Sequence, residues 1–186
     1  MGPTSCGFFS QDRADKKKTR HVNHSAQDQF SDPRSDGAAP QHAALCWRMH
    51  RGHVQVLLIT SRETGRWIIP KGWPMIGKSP SETAATEAWE EAGVQGTLDG
   101  AAPIGFYTYD KLRGPKPPVP CHVSVFPLRV KKLVDNFPER KQRRRKWFDA
   151  HKAARKVAEP ELRTLLKHLS CTGQTLKWSA KGKKHA

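Results

Sequence analysis

Three glutamates, Glu87, Glu90 and Glu91, are spaced i, i+3, i+4 in the stretch PKGWPMIGKSPSETAATEAWEEAGV, residues 70–94. On a helix this spacing gathers three carboxylates on one face, with Ala85, Ala88, Trp89 and Ala92 toward the other sides. Like charges so placed destabilise a helix by roughly 0.3 kcal/mol per pair unless a cation neutralises them. Hard divalent ions with oxygen ligands are the natural partners, which points to Mg²⁺ or Mn²⁺. Taken alone, the same triplet also fits a solvated acidic face.

The residues around the triplet fix its position. Ser79, Pro80 and Glu82 supply an N-cap hydroxyl, a proline at the first helical position and the acid of a capping box. Ala84, Ala85 and Ala88 favour helix, and Gly93 stands where a left-handed C-terminal residue is wanted, so a helix of about three turns is expected. The loop before it carries Lys71, Gly72 and Lys78 and reads as facing phosphate.

Upstream, QHAALCWRM and HVQVLLITS from Gln41 are two apolar runs joined at Arg51-Gly52, as in a hairpin. Arg62 and Arg66 bracket a Glu-Thr-Gly turn before Trp67-Ile68-Ile69. Downstream, residues 96–109 read as strand. Lys111–Pro120 reads as an irregular, basic, proline-rich loop overhanging the site, because proline lacks an amide donor. Residues 121–130 alternate as a strand, with Pro127 marking an edge or bulge. Trp147-Phe148 returns the chain to the fold, and Asp149–Val157 and the Pro160-led leucine run predict two helices. Residues 1–38 read as a disordered polar arm, 39–169 as the folded domain and 170–186 as a frayed basic tail.

Length and charge bound the rest. The 186 residues suit one domain with tails. The 33 Lys and Arg against 17 Asp and Glu leave a formal +16, which favours polyanionic partners. Eight of those cations fall in residues 131–146, one possible nucleic-acid patch, but no interleaved aromatics make it a stacking platform. Lys16–Lys18 with Arg20 is a smaller cluster read as solvated tail. Cys6, Cys46, Cys121 and Cys171 are scattered without a C-x-x-C pair, which argues against zinc and for reduced thiols, Cys46 and Cys121 in the core. With no apolar run of eighteen residues and no secretory h-region, a soluble cytoplasmic protein without a membrane partner is expected; oligomeric state is not legible.

The register Gly72, Glu87, Glu90, Glu91, Gly93, Val94 resembles the Nudix box. Lys78 departs from the family's loop glutamate and Thr86 from its arginine, two residues that pair in the family and brace the loop. The wider pattern, Arg66–Gly72 and then Glu-Glu-Ala-Gly-Val, is most similar to the diphosphoinositol polyphosphate and diadenosine polyphosphate hydrolase branch over residues 40–168.

The resemblance implies an α/β fold, the Nudix α/β/α sandwich with a mixed, partly parallel sheet. It implies metal-dependent hydrolysis of a phosphoanhydride in a polyphosphorylated small molecule, a diphosphoinositol or dinucleoside polyphosphate. Glu90 and Glu91 would be metal ligands, Glu87 would complete the metal network or act as base, and a backbone carbonyl at Lys71-Gly72 would add a ligand. Ser61, Arg62, Arg66, Lys71 and Gly72 become phosphate contacts. Two alternatives stand beside this reading: a 5′-end pyrophosphohydrolase acting on RNA, with nucleic acid as a secondary partner, and a non-catalytic binding module, which the Lys78 and Thr86 departures favour.

Overall fold

The computed structural model describes residues 37–172 and 175–178. The expectations for the polar arm and its Lys16–Lys18 cluster, for Cys6 and for the end of the tail lie outside the described residues.

Among the described residues ten strands and three helices follow one another: β1 (Ala39–His50), β2 (His53–Thr60), β3 (Trp67–Ile68), β4 (Lys71–Gly72), α1 (Pro80–Ala92), β5 (Val94–Leu98), β6 (Gly105–Arg113), β7 (Lys116–Leu133), β8 (Arg145–Asp149), α2 (Ala150–Ala154), α3 (Pro160–Lys167), β9 (Leu169–Thr172) and β10 (Thr175–Trp178). The first eight strands form one mixed sheet in which β1 runs parallel to β7 and antiparallel to β2 and β4. β1 and β2 meet at Arg51 and Gly52, both at positive φ, and His50 pairs with His53.

Alternation along the central strands divides the core in two. Ala43, Leu45 and Trp47 of β1, with Val56 and Leu58 of β2, face the helices α2 and α3 through Ala153, Ala154, Leu162, Leu165 and Leu166. Ala44, Cys46, Leu57 and Ile59 point the other way, onto Ala84, Ala88 and Ala92 of α1. The result is the expected α/β/α sandwich. Cys46 and Cys121 are buried and free, as expected.

Four local expectations are corrected. Residues 96–109 are not one strand: β5 ends at Leu98 and β6 begins at Gly105. The segment from Lys111 is no irregular loop but a hairpin of β6 with β7, pairing Asp110 with Pro120 and Lys111 with Val119. Its prolines are tolerated because β1 joins β7 only from Cys121 onward, so before that point one edge of β7 lacks, among the described residues, a strand needing its amide donors. Pro127 lies within a central strand, at neither edge nor bulge. Ile104 and Asp99 donate to Val125 and Pro127 carbonyls there, where β7 exchanges β6 for β5, so no ladder amide is demanded of the proline. In the tail, residues 169–172 and 175–178 form an antiparallel ladder rather than a frayed end. Among the described residues no helix is long and apolar enough to cross a membrane.

Candidate active site

Local chemistry sets α1 where the sequence places it. The Ser79 hydroxyl accepts from the Glu82 amide at 3.3 Å, and the Glu82 carboxylate accepts from the Ser79 amide at 2.8 Å, a reciprocal capping box with Pro80 just inside. At the other end Gly93 has φ 65°, and a Cβ there would also press on the Phe137 ring and the Val134 carbonyl. No basic residue lies in the last turn of α1. Arg145 of β8 supplies the missing cation, donating to the carbonyls of Ala92 at 2.7 Å and Val134 at 2.6 Å.

The strap before the helix is held to the sheet. The Ala44 amide donates to the Pro70 carbonyl at 2.9 Å, and Gly72 pairs with His42. At Gly72 a Cβ would overlap the Glu87 carboxylate as it stands, so a larger residue would displace that side chain. The Lys71 amide donates to the Glu91 carboxylate at 3.0 Å, so loop and helix share a hydrogen bond at the site.

Around these contacts lies a cavity of about 500 Å³. All eight residues singled out from sequence line it: Glu87, Glu90 and Glu91 on α1, and Ser61, Arg62, Arg66, Lys71 and Gly72 opposite. Their engagements differ. Ser61 is committed to its own turn, bonded to the Thr64 hydroxyl at 2.8 Å and accepting the Arg66 amide at 3.1 Å. Arg66 pairs with buried Glu159 at 3.3 Å, tying the wall to the start of α3. Arg62 is largely exposed and pairs with Glu139 at 3.3 Å.

Glu139 and Arg143 were not singled out from sequence. Both come from the basic segment, where Glu139 is an acid among cations. The Arg143 guanidinium is buried; it donates to Glu91, to Glu139 at 2.5 Å and to the Thr60 carbonyl at 3.0 Å. Arg143 and Arg145 thus turn inward, which removes two of the eight cations from any exposed nucleic-acid patch. Only their separation from α1, some fifty positions, hid them from a local reading.

The electrostatics follow from this crowding. Burial, and then the charges of Glu91, Glu90 and Glu139, push the Glu87 carboxyl up to about 7, with Lys71 opposing. Burial also raises Glu91, while Arg143 and the Lys71 amide pull it down. Burial lowers the Lys71 ammonium, with Glu91 opposing.

Among the described residues neither Glu87 nor Glu90 has a basic partner in an ion pair. As the side chains stand, no three acidic, imidazole or thiol groups among the described residues converge to enclose an ion, and both Glu91 oxygens are engaged, by Arg143 and the Lys71 amide. The donor chemistry nonetheless fits a hard divalent cation: the groups are carboxylate oxygens, and burial and the neighbouring carboxylates disfavour the charged form of Glu87, a cost that a bound cation would offset.

The fold has counterparts. A model of the NUDIX domain family matches residues 39–169. The chain is 29% identical to human (Homo sapiens) diphosphoinositol polyphosphate phosphohydrolase 3-alpha over 120 residues, 63% of this chain and 68% of that protein. It is 33% identical to Nudix hydrolase 21, chloroplastic, of Arabidopsis thaliana over 108 residues, 55% of this chain and 50% of that protein. The chain thus spans from half to about two thirds of the length of these relatives. Two solved structures share the fold: a C. elegans Ap4A hydrolase binary complex (TM-score 0.53, 21% identity, covering 70% of this chain and 93% of that one) and the E. coli dihydroneopterin triphosphate pyrophosphohydrolase (TM-score 0.52, 17% identity, covering 69% and 92%). The chain belongs to the NUDIX domain family. Within it, the chain is a Nudix-type pyrophosphohydrolase, an enzyme acting on acid anhydrides of phosphorus.

Proposed function

We propose that the chain hydrolyses a phosphoanhydride bond in a polyphosphorylated small molecule, a diphosphoinositol or dinucleoside polyphosphate, with Mg²⁺ or Mn²⁺ as cofactor. The observation that carries this is the meeting, in one cavity, of two carboxylates without an ion-pair partner among the described residues, Glu87 and Glu90, with the cationic side chains of Arg62, Lys71 and Lys111.

Glu87, Glu90 and Glu91 would hold the divalent ion, which when bound polarises phosphoryl oxygens and lowers the pKa of the attacking water. Arg62, Lys71 and Lys111 bind phosphate oxygens and offset the repulsion an acidic pocket would otherwise exert on a polyanion. Arg143 and the Lys71 amide orient the Glu91 carboxylate, and Gly72 lets the loop backbone approach Glu87. A cytoplasmic site of action belongs to this reading, supported by the free thiols Cys46 and Cys121.

The test is a panel of diadenosine polyphosphates, diphosphoinositol polyphosphates, ADP-ribose and 5′-triphosphorylated RNA, assayed with Mg²⁺ and with Mn²⁺. Turnover of a small polyphosphorylated substrate, abolished by EDTA and lowered about 10²-fold by Glu90→Gln, is expected. Preference for the RNA, or no turnover of any member, would overturn the proposal.

A further inference from the structure

Among the described residues four large apolar side chains are exposed: Met49, Trp73, Ile76 and Leu112. Three of them sit on two protrusions that meet. Trp73 and the fully exposed Ile76 belong to the strap between Gly72 and α1, and Leu112 stands near the tip of the β6–β7 hairpin. The Lys111 ammonium lies 4.6 Å from the Trp73 ring centroid, and Trp73 and Leu112 both line the cavity, so strap and hairpin come together at its mouth. The hairpin tip is pre-ordered. Arg113 pairs with Lys116 across it, Pro115, Pro117, Pro118 and Pro120 fix φ, and among the described residues β1 joins β7 only from Cys121, leaving the tip clear of the central strands. Charge follows the same pattern: residues 73–79 and 111–120 carry Lys78, Lys111, Arg113 and Lys116 and no acid. Among the described residues none of these four cations is in an ion pair.

A fully exposed isoleucine and a largely exposed leucine, each flanked by cations without acidic partners, match the chemistry of an anionic bilayer surface. Apolar tips enter the boundary between headgroups and acyl chains, and cations beside them meet lipid phosphates and carboxylates. An acidic protein would attract the same cations but would have to bring an apolar pocket for each tip. We infer that the strap tip at Ile76 and the hairpin tip at Leu112 form a peripheral docking surface for an anionic membrane, with Lys78, Arg113 and Lys116 against the lipid headgroups. The formal +16 draws the chain to such a surface, and the two tips orient it with the cavity mouth toward the lipid. Because the hairpin tip is already ordered, little conformational freedom is lost on docking. Surface docking needs no spanning helix, and none is found among the described residues; it departs from the sequence expectation of no membrane partner, which rested on the lack of a spanning segment.

The experiment is sedimentation of the full chain with phosphatidylcholine vesicles, with and without about one third phosphatidylserine, at physiological ionic strength. Partition onto the phosphatidylserine vesicles alone is expected. Ile76→Asp and Leu112→Asp, at exposed positions and checked for folding by thermal unfolding, should each lower that partition about tenfold, as should Arg113→Glu combined with Lys116→Glu. Met49→Asp makes the same change at the exposed apolar residue of the β1–β2 hairpin and should lower it less than about twofold. A brominated lipid should quench tryptophan emission, and Trp73→Phe should remove most of that quenching. Partition unchanged in Ile76→Asp and Leu112→Asp, or lowered as much by Met49→Asp, would reduce the effect to net charge and overturn the docking surface. No binding to phosphatidylserine vesicles would overturn it as well, and Ile76-sensitive binding of polyglutamate in that case would assign the tips to an acidic protein instead. Neither readout involves turnover, so the result stands apart from that of the proposed hydrolysis.

Discussion

Lys78 donates from Nζ to the Thr86 hydroxyl at 2.8 Å, and that hydroxyl donates in turn to the Glu82 carbonyl at 2.9 Å. The two positions that depart from the Nudix box therefore touch each other, linking the loop to the first turns of α1 without an ion pair. A single exposed hydrogen bond of this kind is worth about 1 kcal/mol or less. Thr86→Arg alone would face one cation with another and is expected to destabilise the chain, whereas Lys78→Glu with Thr86→Arg is tolerated. A double-mutant cycle in urea checks this, and no favourable coupling would remove the bracing role.

Removing a carboxylate tests the acidic helix. Glu90→Gln keeps the side chain's size, and Glu90 forms no ion pair among the described residues, so folding stability should persist while turnover drops by about 10², roughly 3 kcal/mol of barrier. Glu91→Gln should cost turnover similarly and lower stability as well, because Arg143 loses a buried partner. Wild-type rates in both variants would remove the metal-site assignment.

Arg143 carries more of the stability than its place in a basic run suggests. It pairs with both Glu91 and Glu139 from a buried position, and breaking such a contact by removing one member costs about 3 kcal/mol or more. Arg143→Ala should lower the urea midpoint accordingly, while Arg144→Ala, at an exposed neighbour, should change it little.

The raised Glu87 carboxyl makes stability depend on pH. Between its ordinary 4.5 and about 7 the folded chain holds a proton that the unfolded chain has released, so stability falls as pH rises through that window, and the loss is complete above about 7. Because the group is only half-buried, solvent screening leaves about 1 kcal/mol. In EDTA, wild type should lose stability relative to Glu87→Gln between pH 5 and pH 8, and Mg²⁺ added at pH 8 should restore it. A pH-independent difference between the two proteins would contradict this.

Arg62 and Arg66 should separate substrate binding from folding. Arg62→Ala removes a largely exposed cation and is expected to raise KM about tenfold, near 1.4 kcal/mol, with little change in Tm. Arg66→Ala leaves buried Glu159 without its cation, and one Glu159 oxygen already has no hydrogen-bond partner among the described residues, so a fall in Tm is expected as well.

What could be read from sequence was what neighbouring residues decide among themselves. Ser79, Pro80, Glu82 and Gly93 set both ends of α1 through contacts within a few positions, and Arg51-Gly52 fixed the first hairpin in the same way. The proline-rich stretch misled because a missing donor matters only where a partner strand requires it, and among the described residues one edge of β7 has no partner before Cys121. Arg143 and Glu139 stayed hidden because their contacts with α1 span about fifty residues, a separation at which no spacing rule operates.

The parallel pairing of Ala39 with Cys121 has a kinetic corollary. Joining strands about eighty residues apart in sequence costs ~4 kcal/mol in loop-closure entropy before any packing repays it. The strap carrying Lys71 and Gly72 hangs from β1, and Arg143, the cation that pairs with Glu91, arrives only after β7 has been laid down. A growing chain therefore has no working pocket until nearly all of residues 39–149 have emerged. Folding on the slow, non-local end of the range is expected, with catalytic competence appearing in the last phase and not gradually.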